Sequence, residues 1–188
     1  MEYDMSDLID ISRIQKLTDS FHKATGIPSA VIGSSGIVIT QAGWQNICLN
    51  FHRKNPEAEK KCLESACQIK KRLNNGKPYV MYKCLNGLID AAAPVVIAGE
   101  HAAYVTTGQL LFKEPDTNER EYFRRQAREF EFDESEYLEA LSTVPIIPED
   151  RVEAILDYLS SFAGMLAELG YTQMRQLEAA KALQNAHD

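Results

Sequence analysis

Residues 79–111 constrain the fold of this chain more than any other stretch. Two runs of β-prone residues flank Asn86 and Gly87, and an Asn-Gly pair in that setting predicts a hairpin with a type I′ turn. The second run turns again near Ala98 and Gly99, so we expect a meander of three antiparallel strands. Alanines pave its middle at 91–93, which leaves room for a small guest against the sheet. The pattern favours a domain that binds a small molecule over one that catalyses a reaction.

The first part of the chain alternates helix and hairpin signals. Apolar residues recur at helical spacing over 7–24, and Gly26 provides the expected C-terminal stop. A second hairpin is predicted over 29–41, and residues 44–51 form either a short helix or an irregular lid. A further helix is predicted over 56–75. These elements add strands and a cover to the meander.

The last part of the chain is helical. Two polar, acidic helices are predicted over 115–130 and 133–141, where they cap a sheet edge or lie on the surface. A long helix opens at Pro148, and its wide apolar stripe thins after Gly170 into a narrow seam typical of half a coiled coil. We therefore expect a domain over 1–169 and a helical connector over 170–188. The connector leads to an output domain outside this chain or makes a homodimer contact; a frayed terminal helix is the alternative.

Composition excludes several classes of function. The formal net charge is -7, so direct nucleic-acid contact is not expected, because phosphate binding needs a basic face. No apolar run approaches the ~20 residues of a membrane span, and the acidic N-terminus lacks the order of a signal peptide. A cytoplasmic location is therefore expected. There the four cysteines would stay reduced and act as core thiols, metal ligands or sensors.

Helical geometry separates the two cysteines of the 56–75 helix. At ~100° per residue, Cys62, Ala66, Ile69 and Leu73 fall on one arc, which we expect to face the sheet. Cys67 lies about 140° from Cys62 and is interpreted as a minor packing residue. The two thiols therefore do not converge on one small site.

Three other placements bring cysteines toward one end of the sheet. Cys48 lies in the lid-like segment with His52 one helical turn beyond it, and Cys84 shares a strand face with Tyr82. Cys48, Cys62, Cys84 and His52 could therefore surround one spot and hold Zn²⁺ or an iron–sulfur centre. Their spacing matches no usual zinc pattern, so reduced thiols lining a pocket, or a redox sensor, are alternatives.

Five polar or aromatic residues complete the candidate pocket. Trp44, Tyr82 and Tyr104 would form its walls, while Asp90 and Gln109 could hydrogen-bond a small polar guest. A core role for the aromatic residues and for Gln109, and an edge-strand position facing water for Asp90, remain alternatives. No phosphate loop, nucleophile elbow or zinc-protease motif occurs, so we do not expect an enzyme.

The order of these motifs resembles a known family. The opening helix from Asp10 to Phe21, Cys48, the Cys62-Leu-Glu-Ser run, the Tyr82-x-Cys84 pair and the Gly108-Gln109-Leu run are similar to the PocR-type sensory domain. The resemblance covers residues 7–169. It implies a PAS-like fold that senses small hydrocarbon derivatives such as short alcohols or diols, in front of AraC-type transcription regulators or sensor histidine kinases. Cys48, Cys62 and Cys84 correspond to the family's cysteines.

Two positions depart from the family pattern. Leu85 follows the third cysteine where the family commonly has His, and Ser35 stands where an Asp often precedes the hairpin glycine. The ligand is therefore left open by the resemblance.

The sequence thus predicts an α+β sensory module. We expect a PAS-like antiparallel sheet of about five strands, flanking helices and a long C-terminal helix that forms a homodimer. A small organic molecule would bind near Trp44, Cys48, Cys62, Tyr82, Cys84, Asp90 and Gln109. The alternatives are a metal or redox sensor using Cys48, Cys62 and Cys84, a cysteine-dependent enzyme, and a plain dimerisation domain.

Overall fold

The computed structural model describes residues 3–73 and 76–186. Its helices and strands follow one another in a single α+β chain. In order they are α1 (Met5–Leu8), α2 (Ile11–Thr25), β1 (Ser29–Gly33), β2 (Val38–Ala42), a π-helix (Ile47–His52), α3 (Pro56–Leu73), β3 (Val80–Lys83), β4 (Ile89–Ile97), β5 (Glu100–Leu110), α4 (Thr117–Glu129), α5 (Glu134–Ser142) and α6 (Glu149–Asn185).

The five strands form one sheet in the order β2-β1-β5-β4-β3. Every neighbouring pair is antiparallel, and the chain crosses from β1 to β5, so the sheet centre is built from both halves of the sequence. The predicted α+β architecture, with its PAS-like five-stranded sheet, flanking helices and long C-terminal helix, is confirmed.

The type I′ turn lies at the second hairpin of the meander, not at the first. Ala98 and Gly99 both have positive φ (51° and 83°) between β4 and β5, as a two-residue I′ turn requires. At the first hairpin Gly87 alone has positive φ, and its N–H donates to the carbonyl of Cys84. The predicted I′ turn at Asn86 is wrong because this side chain is buried and hydrogen-bonded inside the protein.

The two faces of the sheet pack against different helices. Long α6 covers one face, and Ala91 and Ala93 belong to the apolar core beneath it. Ala92 points the other way and packs with Leu73 of α3 and Tyr104. The expectation that these alanines border a cavity is met in part. Ala91 also lines a cavity beside α3 and Ala92 lines an adjoining one, whereas Ala93 only packs beneath α6.

Helices α4 and α5 form a second apolar core with the π-helix. Phe123, Tyr137 and Leu141 are buried together with Ile47 and Leu88. These helices are polar in composition, and of the two predicted placements, on a sheet edge or on the surface, the surface one is wrong because they bury a core with the π-helix. Their few apolar residues anchor the π-helix against the end of the sheet.

The bounds of two helices differ from the predicted ones. The predicted helix over 7–24 is broken after Leu8, because Asp10 caps a new helix with its carboxylate on the N–H of Arg13. The predicted stop at Gly26 is confirmed by its left-handed φ of 72°. The predicted helix over 56–75 ends its described part at Leu73, and its last positions lie outside the described residues.

Candidate functional site

A cavity of about 140 Å³ lies between the sheet, α3 and the π-helix. Its wall includes eight of the residues predicted for a pocket or a metal site: Trp44, Cys48, His52, Cys62, Tyr82, Cys84, Asp90 and Gln109. Tyr104, which was also predicted for the pocket wall, lines an adjoining space instead. Residues from four separate parts of the chain therefore meet at one place.

A bulge in β5 shapes the floor of this cavity. Ile89 pairs with Leu110 and Asp90 pairs with Gly108, so Gln109 is an extra residue between them. Gln109 has a positive φ of 59°, which is unusual for a residue with a side chain. Bulges re-aim side chains beside functional sites, and this one turns Gln109 toward the segment that covers the cavity.

The Gln109 bulge connects the sheet to that covering segment. The backbone N–H of Gln45 donates a 2.5 Å hydrogen bond to Gln109 Oε1. The backbone N–H of Gln109 donates in turn to Asp90 Oδ1 at 2.9 Å. One residue thus links the start of the π-helical segment to the carboxylate in the cavity wall.

Asp90 is the acidic group of the cavity. Tyr82 OH donates to Asp90 Oδ2 at 3.4 Å, and the N–H of Gln109 donates to the other oxygen. Burial raises the pKa of Asp90 to about 6, although these two donors and the charge of Arg53 oppose the shift. The Cys84 thiol is a third hydrogen-bond partner of this carboxylate. A carboxylate has about four acceptor sites, so Asp90 can accept a further hydrogen bond from a guest.

The three predicted pocket cysteines approach the cavity from three elements. Cys48 lies on the π-helix, Cys62 on α3 and Cys84 at the end of β3, and all are free thiols. Burial, reinforced by the charge of Asp90, raises the pKa of Cys48 far above its usual range and that of Cys84 to about 12. Burial also raises the pKa of Cys62. The thiols are therefore protonated at neutral pH.

Cys67 lies apart from this group. Its side chain is exposed on the far side of α3, so the interpretation as a minor packing residue is wrong. The predicted angular separation of Cys62 and Cys67 is confirmed, because only Cys62 reaches the cavity. Ala66 of the same helix lines the cavity, as its predicted arc requires.

His52 belongs to a buried network of hydrogen bonds that runs through α5 and α4 and returns to the cavity wall at Cys62. Its Nε2 lies 2.7 Å from Tyr137 OH, and Tyr137 OH donates to Gln126 Oε1 at 3.2 Å. Gln126 Nε2 donates to Asn86 Oδ1 at 2.7 Å. Asn86 Nδ2 then reaches both the carbonyl of Ala58 and the sulfur of Cys62. The network joins the second core to the cavity wall.

The predicted metal ligands share the cavity without forming a ligand cluster. Within 3–73 and 76–186, no group of three or more His, Cys, Asp or Glu side chains is arranged to hold a metal ion. His52 uses one ring nitrogen for Tyr137, and Cys62 accepts a hydrogen bond from Asn86. A zinc or iron–sulfur centre would therefore need these side chains to move.

Sequence reasoning missed several residues of the cavity wall. Arg53 stacks over the ring of Trp44 with its guanidinium carbon 4.4 Å from the ring centroid. The hydroxyl of Ser65 accepts a hydrogen bond from the N–H of Leu85 and fixes α3 against the β3–β4 turn. Thr106 lies on the neighbouring strand. Arg53 directly follows His52 in the sequence, and this position could have indicated that Arg53 belongs to the same cavity wall.

A second cavity of about 200 Å³ adjoins the first along α3. The two share Ile32, Arg53, Cys62, Ala66, Ile69 and Thr106 in their walls. Its own lining is mostly apolar and includes Val38, Leu63 and Tyr104. The space under α3 is therefore longer than the polar cavity alone.

Comparison with known proteins identifies the family of this chain. The family model described as a sensory domain found in PocR matches residues 7–171. The chain is also similar to the regulatory protein PocR of Salmonella typhimurium, at 28% identity over 98 residues. That alignment covers 52% of this chain and 32% of the regulator's length. No solved structure matches the chain.

One further observation concerns membranes. Among the residues that the structure describes, no helix combines the length and apolar character needed to cross a bilayer. The family match covers both the sheet and the helices that enclose the cavity. The chain belongs to the family of PocR sensory domains.

Proposed function

We propose that this chain is the ligand-binding sensory module of a transcription regulator or signal-transduction protein, and that it binds a small organic molecule in the cavity beside Asp90. The observation that carries the proposal is the cavity of about 140 Å³ whose wall unites Asp90, Gln109, Tyr82 and three thiols. The family membership supports a sensory role, and the similar regulator from Salmonella supports the context of transcription control.

The volume of the cavity limits the size of the guest. A protein cavity of about 150 Å³ accommodates benzene, so a guest of about six non-hydrogen atoms fits in the polar cavity alone, without the adjoining space of about 200 Å³. Such a small guest gains at most about 1.5 kcal/mol per atom. For a guest of this size the Kd should therefore be no tighter than about 0.3 µM, and titrations need guest concentrations up to the millimolar range.

The chemistry of the wall favours a guest with hydroxyl groups. Asp90 can accept hydrogen bonds, and Tyr82 and Gln109 fix its orientation. The protonated thiols of Cys48, Cys62 and Cys84 form a soft, weakly polar surface for a short carbon chain. A short alcohol or diol meets both requirements. The raised thiol pKa values also support binding without covalent catalysis.

The signal would travel from the cavity through strand β4. Asp90 and Ala91 of this strand line the cavity, and Ala91 and Ala93 also belong to the core beneath α6. A guest that favours one position of the π-helix and β4 would also favour one packing position of α6 on the sheet. Such control requires different affinities for the two arrangements. Residues 170–188 would pass the change to an output domain.

The helix α6 would also form the homodimer contact. Tyr158, Met165 and Leu169 are 38%, 42% and 52% exposed and fall on one side of this helix. A Leu169→Glu variant should shift the chain from dimer to monomer in light scattering after gel filtration. Leu63→Glu changes an exposed leucine of α3 and should leave the dimer intact. A wild-type monomer at all concentrations would contradict the dimer.

The binding proposal is tested by calorimetry with a panel of short alcohols, diols, amines and acids. We expect one guest per chain for wild type and at least a tenfold loss for Asp90→Asn. Asp157→Asn, an exposed aspartate of α6, is the matched control and should bind as wild type does. A panel in which no compound binds or raises the melting temperature would contradict the proposal and favour a plain dimerisation domain.

A metal or redox sensor is the alternative function. The convergence of Cys48, Cys62 and Cys84 on one cavity favours it. Elemental analysis and a visible spectrum of anaerobically purified protein distinguish the two functions. About one zinc or iron per chain, lost on substitution of these cysteines, would show that the cavity holds a metal centre and would contradict the organic guest.

A further inference from the structure

A chain of buried hydrogen bonds fixes the proton on the ring of His52. It begins at the backbone carbonyl of Ala58, which can only accept, and runs through Asn86, Gln126 and Tyr137 to His52. All four side chains are at most 2% exposed. Water therefore does not supply alternative partners within the chain of bonds.

The direction of each bond follows from the one before it. Asn86 must present its NH₂ group to Ala58, so its Oδ1 faces Gln126 as an acceptor. Gln126 must then donate through Nε2, which leaves its Oε1 to accept from Tyr137. Tyr137 has a single hydroxyl hydrogen and gives it to Gln126, so it can only accept from His52.

His52 consequently carries its hydrogen on Nε2. The distance of 2.7 Å between Nε2 and Tyr137 OH is that of a hydrogen bond. Burial, with the charge of Lys61, lowers the pKa of His52 to about 4, so the ring is neutral at physiological pH. In a neutral ring with the hydrogen on Nε2, Nδ1 is an unprotonated acceptor.

The Nδ1 atom of His52 is a buried polar atom without a hydrogen-bond partner among the described residues, and His52 lines the cavity. Its own accessible surface is below 1 Å², so a guest reaches Nδ1 when the ring or the π-helix that carries it shifts slightly. Buried polar atoms without partners are rare and destabilising, and one at a cavity wall is satisfied when a guest supplies a donor. The network thus fixes an unpaired acceptor on a residue of the cavity wall.

We propose that His52 Nδ1 accepts a hydrogen bond from the guest, which makes His52 a specificity-determining residue for molecules that carry a hydroxyl hydrogen at that position. This inference rests on the proposed function and adds a second acceptor to Asp90 in the same cavity. A guest with two hydroxyl donors satisfies both acceptors. A guest in which one hydroxyl is replaced by an ether leaves one of them unpaired.

The ring state is tested without any guest by nitrogen-15 NMR of the four histidines. We expect the His52 ring to carry hydrogen on Nε2 near neutral pH. Tyr137→Phe removes the partner that fixes this tautomer, so the Nε2–H preference should weaken. Tyr122→Phe removes a phenol that packs against the same second core and donates to the carbonyl of Leu85, and it should leave the His52 signals unchanged. A His52 ring with hydrogen on Nδ1 in the wild type would overturn the inference.

The role in recognition is tested with propane-1,2-diol and its methyl ether, 1-methoxypropan-2-ol. Wild type should bind the diol about tenfold more tightly than the ether, as loss of one hydrogen bond predicts. The His52→Leu variant should lose that discrimination, and His52→Asn, which retains an acceptor near the position of Nδ1, should recover part of it. Addition of the diol should shift the Nδ1 resonance of wild type.

The outcomes separate the two proposals. Diol binding that leaves the His52 resonances unmoved, or equal affinity for diol and ether, overturns the role of His52 while the sensory function stands. If no compound of the wider panel binds, the proposed function fails and this inference fails with it.

Discussion

Gly108 and Asp90 face each other across strands β4 and β5 at a distance that admits no side chain on Gly108. A Cβ at Gly108 would lie 1.9 Å from Asp90 Oδ1 and 2.7 Å from its Cα. The neighbouring Gln109 holds the same carboxylate through its backbone N–H. The position of the acidic group in the cavity therefore depends on a glycine.

The Gly108→Ala substitution should displace Asp90 and disturb the bulge. We expect the free energy of unfolding to fall by at least about 2 kcal/mol, as for other clashes in a packed interior. Guest binding should weaken by more than tenfold, because the carboxylate loses its place. Urea unfolding and calorimetry measure the two effects.

Gly164→Ala is the matched control for that substitution. Gly164 lies in α6, no atom lies within 4 Å of the position that an alanine methyl group would take, and alanine favours helix there. The free energy of unfolding should rise by about 0.5–1 kcal/mol in this variant. Unchanged stability and binding in Gly108→Ala would contradict the tight contact.

The stability of the domain should depend on pH through Asp90. Its pKa rises from 3.8 to about 6 on folding, so the folded chain favours the protonated form and loses stability as the pH rises between those two values. Asp90→Asn should therefore be more stable than wild type by up to about 3 kcal/mol above pH 6, with no gain below about pH 4. Urea unfolding at a series of pH values checks the difference, with Asp157→Asn as control.

His52 should produce the opposite dependence. Its pKa falls from 6.5 to about 4, so the folded chain favours the neutral ring and loses stability as the pH falls through that interval. Relative to wild type, His52→Asn should gain stability as the pH falls from 6.5 to about 4. The titratable and charged neighbours of Asp90 are Arg53, Tyr82 and the three thiols, and those of His52 are Lys61 and Tyr137. Because these neighbours also influence the two pKa values, neither variant substitutes any of them. Parallel curves for both variants and wild type would refute the two shifts.

The four cysteines should differ in reactivity. Cys67 is exposed, whereas Cys48 and Cys84 have raised pKa values and carry little thiolate. Iodoacetamide should modify Cys67 at least about a hundredfold faster than Cys48 or Cys84 in the native protein. Peptide mass spectrometry over time measures each rate. A bound guest should slow Cys62 further and leave Cys67 as the internal control; equal rates at all four would contradict the enclosed cavity.

Local patterns in the sequence predicted most of the sheet. The helix stop at Gly26, the hairpin over 29–41 and the meander over 79–111 follow from turn residues and alternation, which act over a few neighbouring positions. The type of the turn at Asn86 could not be predicted this way. Its conformation depends on Gln126 and Ala58, which are distant in sequence.

Part of the membership of the candidate site could be predicted from the sequence, whereas its geometry could not. Spacing placed Cys62, Tyr82 and Cys84 on inward faces, and all three line the cavity. The bulge at Gln109 and the contact of Gly108 with Asp90 depend on strand register, which a single sequence does not determine. The core that α4 and α5 share with the π-helix was also missed, because a few apolar residues in polar helices give a weak periodic signal.

Filling the cavity tests the central claim most directly. Ala66 lines both cavities from α3, and Ala66→Phe would place a ring in that space, while Cys67→Phe places the same ring on the exposed side of the helix. Calorimetric titration with propane-1,2-diol, or with the tightest compound of the panel, should show one guest per chain for wild type and Cys67→Phe and none for Ala66→Phe. Undiminished binding by a folded Ala66→Phe variant would contradict the assignment of this cavity as the sensory site.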